Sequence, residues 1–151
     1  MTSIWDQIRR VKVLVQSEDL NYLSGLLSGL KDLGMNVNEV ELIVWSDDEK
    51  RKSIISSKIR SLVLSGKDLN FFGKVKDKDL KARINSGADL LLLIGELPQK
   101  LRKIVPLKTA RYSCSLNQMS SFADMNLSTD KTSGEDQIEF LGKTLKKISV
   151  K

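Results

Sequence analysis

The chain has 151 residues, 40% hydrophobic and 29% charged, with 25 Lys and Arg against 19 Asp and Glu for a formal charge of +6. That length and apolar fraction suit a single domain over 1–151 with a sizeable core. Histidine is absent and Cys114 is the one cysteine, which excludes Ser-His and Cys-His nucleophile pairs, an intramolecular disulfide, a cysteine zinc cluster and most transition-metal sites not built of carboxylates.

The positive charge raises the question of phosphate binding, because basic surface is the electrostatic footprint of nucleic-acid recognition. Its distribution argues against that. Lysines alternate with Asp77 and Asp79 in KVKDKDLKAR, and DDEKRK sets three acids before three bases. The purer clusters, Arg9-Arg10-Lys12 and Lys143 with Lys146-Lys147, are short and have no interleaved aromatics. Solvated mixed-sign helix faces account for such runs, and a nucleic-acid partner is disfavoured. The longest apolar run, LLLLI at 90–94, is far below the ~20 residues that span a bilayer. MTSIWDQIRR shows no leader pattern, so a cytoplasmic protein with no membrane association is expected.

In chain order, VKVLV at 11–15 predicts a first buried strand. Ser17 can cap a helix whose leucines 20, 23, 27, 30 and 33 recur at helical steps, with Gly34 as its stop. EVELIVW at 39–45 predicts a second strand, after which Ser46 and Glu49 have the spacing of a capping box opening a helix to about Ile59. SLVLS at 61–65 and LNFF at 69–72 predict two short strands separated by a Gly66-Lys67-Asp68 turn. A polar helix over 77–85 precedes SGADLLLLIGELPQK at 86–100, with Gly87 as stop, a central strand at 90–94, and Pro98 in the first turn of a helix ended by Pro106. TARYSCSL at 109–116 and, more weakly, FADMNLS at 122–128 predict further strands. The final helix starts near Ser133, where Thr132 and Glu135 have capping-box spacing, and carries an apolar stripe of Ile138, Leu141, Leu145 and Ile148 from which Phe140 departs. Alternation of strand and helix predicts an α/β fold: a single doubly wound, mostly parallel sheet of about five strands in a Rossmann-like three-layer sandwich.

The order and spacing of DLNFFGK at 68–74, GADLLLLIGE at 87–96 and TARYSCSLNQMSSFADMNL at 109–127 resemble a family of short uncharacterised Rossmann-like α/β proteins from Bacteroidetes. The resemblance covers about half the chain by motif; a glycine common after the Ala-basic-aromatic piece is here Ser113 or Ser115. It implies a small Rossmann-like domain without an assigned activity, and a fainter likeness to half-domains of glycosyltransferases.

In an open parallel sheet, ligands bind beyond the carboxyl ends of the strands, where the strand order reverses. The candidate ligand residues are therefore Ser17, Ser46, Gly95, Glu96 and Asn117. Neither G-x-G-x-x-G nor G-x-x-x-x-G-K-[ST] is present, capping alone accounts for Ser17 and Ser46, and Glu18, Asp47 and Glu96 would repel a phosphate. Asp47-Asp48-Glu49 fits a charged first helical turn better than a magnesium site. Gly25 and Gly29 each cost about 1 kcal/mol in a helix relative to alanine, so with Tyr22 they mark a close approach, either a helix contact within the fold or a self-association surface. The sequence specifies no cofactor. The expected function is a non-catalytic binding or assembly domain with a protein partner or a second copy; the alternative is a small glycosyltransferase-like or nucleotide-binding enzyme using the strand-end crevice.

Overall fold

The computed structural model describes residues 3–106, 110–118 and 123–148. Among these residues six strands, β1 (Val11–Val15), β2 (Val40–Trp45), β3 (Leu62–Leu64), β4 (Ala88–Ile94), β5 (Ala110–Leu116) and β6 (Met125–Leu127), form one sheet in the order β3-β2-β1-β4-β5-β6. Every neighbouring pair is parallel. The sheet is thus one strand larger than the sequence suggests and entirely parallel among the described residues, with LLLLI in the middle of it.

Among the described residues five α-helices cover the sheet: α1 (Leu20–Asp32), α2 (Glu49–Lys58), α3 (Lys78–Asn85), α4 (Gln99–Ile104) and α5 (Gly134–Lys146). Side chains alternate across a strand, and the core divides accordingly. Val11, Val13 and Val15 of β1 and Leu90, Leu92 and Ile94 of β4 meet Leu23, Leu26 and Leu30 of α1, Ile55 of α2, and Ile138, Leu141 and Leu145 of α5. Leu14, Leu91 and Leu93 point the other way and pack with Ile84 of α3 and Leu101 of α4. Burial on both faces explains why β1 and β4 read as solid apolar runs.

Lys12 interrupts β1 and is nonetheless buried. Its ammonium donates to the Ile84 carbonyl at 2.6 Å and to the Ser86 carbonyl, satisfying groups that the end of α3 leaves without helical partners.

Several local expectations are corrected. LNFF is not a strand: Leu69 makes one antiparallel bridge to Val75, and Phe71 and Phe72 project from the turn between them. The box at Ser46 does not form. Asp48 caps α2 by accepting from the Lys50 and Arg51 N–H groups, while the Ser46 hydroxyl donates to Glu18. Asp19 caps α1 in place of Ser17, and Ser133 caps α5 in place of Thr132. In each case the winning side chain lies one position before the first helical residue, where its oxygen reaches the free N–H groups. Phe140 is half-buried against the α1–α5 layer, so the apolar face of α5 is wider than its stripe. The outer residues of two expected strands, Thr109 and Phe122, lie outside the described residues.

Candidate functional site

Strand order reverses between β1 and β4. Their registers place Val15 beside Ile94, so the two chains leave the sheet side by side. Beyond them lies a cleft of about 530 Å³ lined by Ser17, Asp19, Asn21, Tyr22, Gly95, Glu96, Thr132 and Ser133, together with Gln16 and the last residues of both strands. Its volume falls in the range of small-molecule sites.

Ser17 and Asp19 come from the turn that launches α1. The Ser17 hydroxyl accepts from the Asp19 N–H at 3.2 Å, and Asp19 accepts from the Asn21 and Tyr22 N–H groups at 3.0 and 3.2 Å. Gly95 has φ +67 and donates its N–H to the Leu116 carbonyl at 2.8 Å; that left-handed conformation costs glycine no Cβ clash and turns the chain sharply out of β4. Thr132 and Ser133 arrive with the N-terminus of α5, whose first turn stands beside that of α1. The Tyr22 hydroxyl donates to the Gln137 side-chain oxygen, and Gln137 in turn donates to the Lys131 carbonyl at 2.9 Å. Burial raises the Tyr22 phenol above its ordinary value, so it remains a neutral donor at physiological pH.

Of the sequence-derived candidates, Ser17, Gly95 and Glu96 line this cleft together. Ser46 and Asn117 do not line it. Ser46 is buried and bonded to Glu18 at 3.1 Å, bracing the β1 turn against β2. Asn117 has φ +59, and its side chain accepts from the Thr129 N–H at 2.8 Å, closing the loop around β6. Tyr22 lines the cleft, whereas Gly25 and Gly29 face α5: a Cβ at Gly25 would lie 3.1 Å from the Glu135 nitrogen, and one at Gly29 would lie 2.7 Å from the Ile138 Cβ. The close approach that the two glycines mark is therefore a contact within the chain. Sequence reasoning missed Asp19, Asn21, Thr132 and Ser133. The capping signals at Asp19 and Ser133 were present, but only the return of α5 alongside α1 brings them together.

Among the described residues the lining contains two carboxylates, hydroxyls, amides and backbone, with no lysine or arginine. Cys114 lies elsewhere, buried in the α1–α5 layer, with its thiol pushed up to about 12 by burial. Among the described residues no cluster of three or more Asp, Glu or Cys has metal-ligand geometry, and no helix is long and apolar enough to cross a membrane.

The strand order and the cleft at its reversal define a Rossmann-like α/β protein. Within that class the chain belongs to the family of unknown function DUF6913, whose model matches residues 2–148. No curated protein matches it. One similar solved structure is the crystal structure of the D-arabinose dehydrogenase from Sulfolobus solfataricus, at 13% identity and a TM-score of 0.49 over 95% of this chain. The chain spans 46% of the length of that dehydrogenase.

Proposed function

We infer that this protein is a non-catalytic binding domain, bacterial and cytoplasmic, that takes a small, uncharged, hydroxyl-rich ligand in the cleft between the ends of β1 and β4. The lining of the cleft carries this reading: Asp19 and Glu96 with Ser17, Asn21, Thr132 and Ser133, and no cation among the described residues. Carboxylates accept hydrogen bonds from hydroxyls and repel phosphates, and among the described residues no basic side chain lines the cleft to offset the desolvation of a phosphate. The turn after β1, Gln16-Ser17-Glu18-Asp19, has no glycine to admit a pyrophosphate close to the backbone. A chain without histidine, whose one thiol is buried and difficult to ionise, offers little for nucleophilic or general-base chemistry.

The second reading, a nucleotide-binding or glycosyltransferase-like enzyme, is favoured by one observation: the cleft occupies the strand reversal at which this architecture holds nucleotides. A thermal-shift panel separates the two. Neutral sugars, polyols and nucleosides at a hundredfold excess over Kd should stabilise the protein by about 2.7 kcal/mol, raising Tm by roughly 5–10 °C for a chain of this size. Thr132→Trp, an exposed lining position, should abolish the shift. Stabilisation by nucleotides or sugar nucleotides and not by their unphosphorylated counterparts supports the enzyme; a flat response across the panel rejects both.

A further inference from the structure

Among the described residues the exposed large hydrophobic side chains are two neighbours, Phe71 at 97% and Phe72 at 81%. They are held out by a closely hydrogen-bonded turn. The Asn70 N–H donates to the Lys74 carbonyl at 2.7 Å and the Gly73 N–H to the Asn70 carbonyl at 2.9 Å. The Asn70 side-chain oxygen accepts from the Phe72 and Lys74 N–H groups at 2.9 and 3.0 Å. Gly73, at φ +77, supplies the left-handed residue that the reversal requires. Exposed aromatics on a turn this well bonded cost solvation without repaying it inside the fold, which marks them as contact residues.

The rings form one wall of a recess of about 640 Å³. Val75, Ile84 and Ile104 give it an apolar floor, and Lys74, Lys81, Lys100 and Lys103 stand around it with no carboxylate in the lining among the described residues. Among the described residues none of these lysines is in an ion pair. No residue is shared with the cleft at β1 and β4.

We propose that the Phe71-Phe72 turn and the recess between α3 and α4 form a docking site for an acidic protein segment that inserts apolar side chains between the rings and the recess floor. The charge is complementary to such a partner, and aromatic anchors with a charged rim are the common anatomy of peptide-binding surfaces. The two rings meet edge to face at 88°, so they offer no parallel platform for successive bases of a single strand. A recess of this size is filled by side chains and left empty by the plane of a bilayer. A second copy of this chain, itself at +6, is a poorer electrostatic match than an acidic partner.

The experiment is selection from a displayed library of peptides of about twelve residues, panned on the wild type and depleted on Phe71→Ser plus Phe72→Ser. These side chains are exposed, so the double variant should fold and melt as wild type does. Enrichment of Asp- and Glu-rich peptides carrying aromatic or leucine anchors is expected. A synthesised winner should bind wild type about tenfold or more tighter than either the double variant or Lys100→Glu plus Lys103→Glu, with affinity falling as salt rises. Three parallel arms use single-stranded oligonucleotides, phosphatidylcholine vesicles with about 30% phosphatidylserine, and sedimentation of the free protein. The proposal is overturned by failure of any enriched peptide to depend on Phe71 and Phe72, or by winners that are not acidic. It is equally overturned by tighter binding of oligonucleotide or vesicle through the same residues, or by a dimer that the double substitution dissolves.

Discussion

Asp89 enters β4 as a polar residue because its carboxylate receives the Arg9 and Arg10 N–H groups, both at 2.9 Å, and so fixes the chain before β1 against the start of β4. The Arg10 N–H does most to hold this carboxyl below its ordinary 3.8; burial opposes it, while the Arg9 N–H and the Arg111 and Arg10 charges add to the lowering. A depressed folded-state pKa contributes stability that is fully present above the unfolded value and is lost as pH falls through the folded one. Solvent screens this exposed carboxylate, so Asp89→Ala should cost about 0.5–1 kcal/mol at neutral pH, and its deficit against wild type in urea melts should shrink below pH 3.8. An equal deficit at acid and neutral pH would rule out the carboxylate as its source. Lys12 works close by, at the C-terminal end of α3. Lys12→Met should leave the Ile84 and Ser86 carbonyls without their ammonium partner, and amide exchange in the last turn of α3 should accelerate by about tenfold while that of α1 stays constant.

Helices α1 and α5 cross through glycines, and these are not equivalent. A Cβ at Gly134 would lie 2.3 Å from the Tyr22 carbonyl oxygen and 2.7 Å from the Leu26 nitrogen, both main-chain atoms that cannot step aside. At Gly142 the nearest atom is the Leu33 Cδ1 at 2.5 Å, the end of a half-buried side chain that can change rotamer. Gly134→Ala should thus destabilise by about 2–4 kcal/mol, at or above the usual cost of overpacking. Gly142→Ala should fall within about 1 kcal/mol of wild type, since the helix preference of alanine offsets the Leu33 adjustment. Denaturant midpoints at constant m-value decide it, and equal losses at the two positions would contradict this account of the crossing. Because the first turn of α5 also carries Ser133 into the cleft, Gly134→Ala should weaken ligand-induced stabilisation as well as the fold.

At the scale of the molecule, two apolar layers share one sheet and each holds a tryptophan: Trp5 packs in the α1–α5 layer and Trp45 in the α3–α4 layer. Their common backbone should make unfolding a single transition. Leu26→Ala in the first layer and Leu91→Ala in the second remove fully buried side chains, and each should cost about 2–5 kcal/mol. In single-tryptophan variants, fluorescence from Trp5 or Trp45 should trace the same curve as circular dichroism for either mutant. Separation of the two curves would mean that the layers unfold independently.

What the sequence determined alone is the α/β class, the buried strands and most helices, because solid apolar runs and leucines at helical steps are local patterns fixed by which faces must leave water. It also located Ser17, Gly95 and Glu96 at strand ends, since a strand's carboxyl end is read directly from where its apolar run stops. Tertiary structure decided the strand order, and hence that β1 and β4 are neighbours and that Ser46 and Asn117 serve loops rather than the cleft. It returned α5 to α1, which brought Thr132 and Ser133 to the site and turned Gly25 and Gly29 inward, a pairing of segments more than a hundred residues apart that no local pattern encodes. It also overturned the strand expected at LNFF: aromatic side chains favour strands and core alike, and only the packed fold reveals that Phe71 and Phe72 stand exposed, with nothing among the described residues to cover them.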